Sequence, residues 1–357
     1  SRPLVCIDTI DLVLREDNAD DVALLIRELS QYADLILTCR EREWEDYKPF
    51  PSSWTSSVWT IPSLTPFEVL DWARRFVQMD EVDNERASRF IEKLRQLVDS
   101  VGALPIFATP LRLGMACLLY APEGDLPDDL TVTSLYTKYW TDRVGKDRRG
   151  RRGQAAQQQT RAAEHLSELI WASCGDRFIE NVAMRDIERH VGSQALMSEG
   201  VVRSRGLLGG FFHQTFAEYA VARILAATGQ KSDWVKLDRG LRLGIAGFWG
   251  VAGHLLTCEL DTERYLVVSQ AIPRDLPEGV RLLLKSTVDR SDEELLCQTL
   301  KDLRAQQPEL LSSAADVLAS NPEHATTCGM GVIVELLAIT SRHVGNLVNT
   351  MARLLEM

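Results

Sequence analysis

Several things are missing from this sequence, and each gap closes off a class of function. No G-x-x-x-x-G-K-[ST] segment occurs in the 357 residues, so they do not contain the usual backbone cradle and lysine that grip nucleotide phosphates. The one Gly-Lys pair, Gly145-Lys146, runs into Asp147 and lacks the preceding glycine. Seven cysteines lie far apart with no C-x-x-C, which excludes a zinc ribbon or a disulfide framework and suits reduced thiols in a cytoplasmic protein. No H-x-x-x-H spacing occurs, so no metal is assigned to His165, His190, His254, His324 or His343. No run of 18 uncharged apolar residues is present, and no membrane span is expected. Positive charge is in deficit. The formal net charge of −11 disfavours non-specific attachment to nucleic acid or anionic membrane.

What is present is the composition of a globular protein, 45% hydrophobic and 25% charged. A chain of this length calls for two or three packed domains. Ser1-Arg2-Pro3 leads straight into an apolar strand, Leu4-Val5-Cys6-Ile7, that ends on Asp8. Parallel strands of this kind sit buried between neighbours, so the chain is expected to be a piece of a longer one. Asp20 and Asp21 open an amphipathic helix through Val22, Leu24, Leu25 and Leu29, and a second strand follows at 35–39. Strand, helix and strand with short connections form a parallel βαβ unit.

After an irregular stretch rich in Trp, Pro and Ser, Thr65-Pro66-Phe67-Glu68 has the form of a capping box. From there the periodicity is helical: Leu70 to Val77, Phe90 to Val98, Ala103 to Tyr120 broken by Pro105 and Pro110, and Leu135 to Val144. Residues 145–159, basic and then Gln/Ala-rich, read as a linker. Helices are expected at 161–173, 181–190 and 216–227. A hairpin of 200–204 with 210–212 turns through Gly206 to Gly209. Beyond about residue 230 helices dominate, without a clean repeat period. The fold class is mainly α with a partial α/β start.

Chemistry concentrates at the two strand ends. In P-loop enzymes an acid in the position of Asp8 orients Mg²⁺, usually through a water, and a second acid such as Asp11 positions the attacking water. Thr38 and Arg40, at the tip of the adjacent strand, suit the γ-phosphate, with Arg40 sensing the charge lost on hydrolysis. Each residue alone has a plainer reading: a turn-capping Asp, a surface Arg. Their joint spacing favours the nucleotide site. The run Lys146, Arg148, Arg149, Arg151 and Arg152 reads as a solvated loop. Trp44, Tyr47, Phe50, Trp54 and Trp59 read as packing between sheet and lid.

With these residues in place, the chain resembles the NACHT branch of the STAND nucleotide-triphosphatases, which includes the NOD-like receptors. LVCIDTID resembles that family's extended Walker B strand and LILTCR its sensor strand. Thr109 to Met115 (TPLRLGM) resembles a helical-domain segment, and Gly210 to Tyr219 (GFFHQTFAEY) its most diagnostic winged-helix segment. The resemblance implies residues 1–64 as the end of the α/β domain, 65–145 as a helical lid, 146–228 as a winged helix and 229–357 as helical repeats or an arm. It also implies ATP/ADP and Mg²⁺ as cofactors, Asp8 and Asp11 as metal and hydrolysis acids, and Arg40 as sensor. Pro110 becomes the adenine contact and His213 a contact to the ADP β-phosphate that locks the closed state. Its implied partners are copies of itself on activation and a protein trigger at the helical C-terminal region. Leu12 after Asp11 departs from the family's Asp-Glu, so slow or altered hydrolysis is expected. The alternative is a winged-helix and helical scaffold without nucleotide chemistry. A winged-helix DNA regulator would need a basic recognition helix, and Val182–His190 mixes Arg185 and Arg189 with Asp186 and Glu188.

Overall fold

The computed structural model describes residues 2–7, 19–38, 62–99, 104–128, 130–146, 153–258 and part of 260–286. It is mainly helical, with an α/β start and a second small sheet. The chain divides into two compact units, Ser1–Ser63 and Leu64–Met357.

In the first unit, β1 (Leu4–Ile7) and β2 (Asp34–Leu37) pair in parallel across α1 (Ala19–Tyr32), in the register Leu4 to Asp34 through Ile7 to Leu37. The βαβ unit forms as the sequence predicts. Both strands alternate exposed and half-buried, and Leu4 is 61% and Ile36 50% exposed. Among the described residues only α1 covers this sheet, packing Val22, Ala23 and buried Ile26 against Leu35 and Leu37.

The second unit opens with α2 (Pro66–Met79), α3 (Asn84–Asp99), α4 (Leu104–Phe107) and α5 (Pro110–Tyr120). The predicted capping box starts α2: the Thr65 hydroxyl accepts from Glu68 N–H and the Glu68 carboxylate accepts from Thr65 N–H. Then α6 (Val132–Tyr139) runs into a π-helical turn at Trp140–Val144. α7 (Gln154–Ser173) begins well inside the stretch expected to be a linker. Gln and Ala are good helix formers, and Gln159, 3% exposed, donates its side-chain amide to the Arg143 carbonyl at 2.8 Å. Polar composition misleads where a polar side chain has a buried acceptor to satisfy.

Next come β3 (Asn181–Ala183), α8 (Met184–Glu188), α9 (Ser193–Ser198), β4 (Val202–Arg205) and β5 (Leu208–Phe211). The antiparallel sheet has the order β3-β5-β4, with α8 and α9 between its first two strands in the chain. The hairpin turn is tighter than expected. Gly206, at φ +64°, and Leu207 close it, so Leu208 and Gly209 extend β5 instead of turning. Residues 181–183 are strand, not helix, because they pair with Leu208 to Gly210.

Finally α10 (Gln214–Thr228), α11 (Lys231–Arg242), α12 (Ala246–Thr257) and α13 (Thr262–Gln270) complete the described fold. α10 is largely apolar, with Phe216, Ala217, Glu218, Tyr219, Ala220, Val221, Ala222 and Leu225 buried. It lies against α6, α7, α12 and β5. One continuous hydrophobic core runs from Val69 to Leu283.

Gly210 shows how tightly the winged sheet is closed. A Cβ there would collide with the Glu180 carbonyl and come within 2.8 Å of Asn181 Oδ1. Gly210→Ala should therefore destabilise the protein by about 1–3 kcal/mol, measured by urea unfolding. Ala at Gly153, which has nothing within 4 Å, should cost far less.

Candidate functional site

Only part of the expected nucleotide site can be located. Asp8, Asp11, Cys39, Arg40 and the aromatic cluster from Trp44 to Trp59 lie outside the described residues. In the first unit Thr38 follows β2, and its backbone N–H donates to the Ile7 carbonyl at 3.0 Å, on the residue that precedes Asp8 in the chain.

In the second unit two helix starts carry the remaining candidates. Pro110 is the first residue of α5 and is exposed, where its missing N–H costs nothing. Thr109, extended at φ −111° and ψ 135°, precedes it without capping the helix; its hydroxyl accepts from Arg112 Nε at 2.8 Å. His213 caps α10 in extended backbone (φ −153°, ψ 145°), and its Nδ1 accepts from the Thr215 N–H at 3.2 Å. The same Nδ1 lies 2.9 Å from Thr215 Oγ1. The ring is exposed, at the electropositive end of a helix whose body is buried.

Between these helix starts lies a polar cluster that sequence reasoning missed. Tyr136, 1% exposed on α6, sets its hydroxyl 2.6 Å from Thr215 Oγ1. Its ring meets Phe216 edge-on with centroids 5.7 Å apart, and lies 5.5 Å from the His254 ring. His254 Nδ1 is 2.9 Å from Thr133 Oγ1, which is itself 2.6 Å from Thr257 Oγ1. Tyr219 donates to Thr137 Oγ1 at 3.1 Å, and Gln214 donates to buried Glu218 at 2.7 Å. The Glu218 carboxylate fills the space that a side chain at Gly250 on α12 would need.

The charges follow from this packing. Burial lowers the pKa of the Arg112 guanidinium. Burial raises the Tyr136 phenol, against smaller opposing effects of its hydrogen bond to Thr215 and of Arg112, so it is a neutral donor at neutral pH. Burial pushes His254 down to about 4, helped by the Arg112 charge nearby. Burial also pushes the Cys117 thiol up to about 12 and raises Cys174, which makes neither a ready nucleophile.

Thr215 and Glu218 fall inside the segment Gly210–Tyr219, and Arg112 inside Thr109–Met115, so a signal for them was available. Tyr136 and His254 had none, because tertiary packing brings them together from helices more than a hundred residues apart.

Other features carry less. Arg185 and Arg189 both reach Asp186, at 3.8 and 3.2 Å, and α9 (Ser-Gln-Ala-Leu-Met-Ser) has no cation, which argues against groove reading by either helix. A groove of about 370 Å³ between α7, α10 and α11 is lined by Trp171, Val221, Leu225, Asp233 and Lys236. Its polar groups serve one another: Trp171 Nε1 donates to Asp233 at 2.8 Å, and Lys236 donates to the Trp171 carbonyl. His165 and His190 stack with centroids 5.1 Å apart, but no three metal-ligating side chains gather among the described residues. No helix among them is long and apolar enough to cross a membrane.

No family model matches the chain. A curated bovine (Bos taurus) protein, NLR family CARD domain-containing protein 4, is 24% identical over 254 residues, which is 66% of this chain. The likeness is to the NOD-like receptors. The chain spans only 23% of that protein's length.

His254 gives the structure a pH signature. It is neutral when folded, with a pKa near 4 against an ordinary value of 6.5, so the unfolded chain binds more protons. Its contribution is complete above about pH 6.5 and is lost as pH falls through 6.5 towards 4, at up to roughly 1.4 kcal/mol per pH unit. Unfolding free energies followed over that window should fall more steeply for the native protein than for His254→Gln. Parallel slopes would contradict the buried neutral imidazole.

Proposed function

We propose that this chain is the sensing and locking part of an ATP/ADP-switched NOD-like signalling NTPase. The observation that carries the reading is His213. It sits exposed at the start of a helix whose body is buried, inside the segment that most resembles the family, with Nδ1 committed inward to Thr215. The similarity to the bovine NLR protein supports the same class.

In this reading His213 donates to an ADP phosphate and Pro110 lies against the adenine. Thr38 and Arg40 read the γ-phosphate, and Asp8 holds Mg²⁺ through water while Asp11 orients the attacking water. The nucleotide and metal supply a phosphate charge that is present in one state and gone in the other. Protein side chains convert that difference into a choice between closed and open forms. The phosphate-binding loop is supplied by residues outside these 357. A trigger at the helical C-terminal region releases the His213 lock and exposes faces through which copies assemble to drive an effector. A role in innate defence, antiphage in a bacterial setting, belongs to the same proposal.

Two substitutions in the full-length protein test it. Asp8→Ala should impair ATP-dependent activation, whereas His213→Ala should relax autoinhibition and raise signalling without trigger. If both are silent and signalling ignores Mg-ATP, the protein is an interaction scaffold and the switch is wrong.

A further inference from the structure

The hydrogen bonds around His213 have a direction, and one donor fixes it. The backbone N–H of Thr215 can only donate, and it points at His213 Nδ1. Nδ1 is therefore the acceptor nitrogen and the proton of the neutral ring is on Nε2. Thr215 Oγ1, also 2.9 Å from Nδ1, must then donate its own proton to that nitrogen. With its proton so used, Oγ1 can only accept from its third neighbour, the Tyr136 hydroxyl at 2.6 Å. The chain runs one way: Tyr136 O–H to Thr215 O–H to His213 Nδ1.

Tyr136 cannot easily abandon this role. Its ring is wedged against Phe216, Tyr219 and His254 with centroids 5.5–5.7 Å apart. Burial keeps its phenol protonated, hence a donor. The reverse relay, with Thr215 donating to Tyr136, would ask Nδ1 to carry a proton facing the backbone N–H. Two donors would then meet across 3.2 Å.

We infer that Tyr136 and Thr215 are positioning residues for His213, holding it in the tautomer that presents Nε2–H as a donor to a phosphate oxygen. The functional half of this inference rests on the nucleotide reading; the tautomer does not. The consequence is that the donor is set from two elements. α10 supplies the histidine and its cap, and α6 supplies the tyrosine that orders the cap. Packing of α6 against α10 becomes a condition for the phosphate contact, with no residue of α6 touching the nucleotide.

The test reads tautomer and affinity separately. In the chain labelled with ¹⁵N at histidine only, the His213 ring is identified by its disappearance in His213→Gln. Above the histidine titration range it should report the Nε2-protonated form alone. The backbone bond, at 3.2 Å, is the longer of the two that Nδ1 accepts and by itself sets only a bias, so Tyr136→Phe and Thr215→Val should raise the share of the Nδ1-protonated form, and Thr215→Ser, which keeps the hydroxyl, should not. In the full-length protein the first two should weaken ADP binding roughly fivefold, the scale of one hydrogen bond, while Thr215→Ser leaves it unchanged. Thr215→Val keeps both the backbone donor and the side-chain volume, so it decides the matter if Tyr136→Phe does not fold. The inference is overturned if Thr215→Val leaves the ring spectrum unaltered. It also fails if His213→Ala weakens ADP binding and neither positioning variant does. A shifted tautomer with ADP affinity indifferent even to His213→Ala would sink the nucleotide reading and leave the positioning intact.

Discussion

Most of what the second unit does structurally depends on the burial of α10. Eight of its fifteen residues are buried, and α6, α7, α12 and β5 pack around it. Small residues make this possible: Ala217, Ala220 and Ala222 let neighbouring backbones come close, and Gly250 leaves room for the Glu218 carboxylate. At about 1.5–3 kcal/mol for each large apolar side chain removed from water, Phe216, Tyr219, Val221 and Leu225 together make this helix a major contributor to the core. His213 stands exposed at its N-terminal end.

That arrangement separates rigidity from chemistry. The body of α10 is held by aromatic contacts among Tyr136, Tyr139, Trp140, Phe211, Phe212, Phe216 and Tyr219. Its polar end is ordered by hydroxyls that the same packing brings within reach. A histidine on a loop would sample several orientations. Here the cap to Thr215 ties the ring to the start of the helix, and Tyr136 ties the cap to α6. The buried hydroxyl and imidazole groups are paired, as groups in a medium of low dielectric must be.

The distance between pattern and structure differs from element to element. The capping box at Thr65, the break at Pro110, the βαβ start and the existence of the hairpin, though not its two-residue turn, were legible because each depends on a few neighbouring residues. The linker expected at 145–159 failed because composition cannot say that Gln159 would find the Arg143 carbonyl. The helix expected at 181–190 begins as strand because β5 offers Asn181 to Ala183 a partner, and pairing outweighs local preference. The pairing of Leu4–Ile7 with Asp34–Leu37 was legible from the strand-helix-strand spacing, whereas the packing of α1 on Leu35 and Leu37 is a matter of tertiary contact.

By itself the sequence determined the predominance of helices, the strand-helix-strand start, the lack of a phosphate-binding loop within these residues, and the identity of the residues that resemble a nucleotide switch. Local rules suffice for these, since caps, periodicity and motif spacing act over a few residues. Only the tertiary structure decided that Tyr136, Thr215 and His213 form one directed chain and that His254 stays neutral beside them. Those are consequences of contact between helices distant in sequence. Hydrogen-bond direction and desolvation depend on what lies within a few ångströms, which no single stretch of sequence specifies.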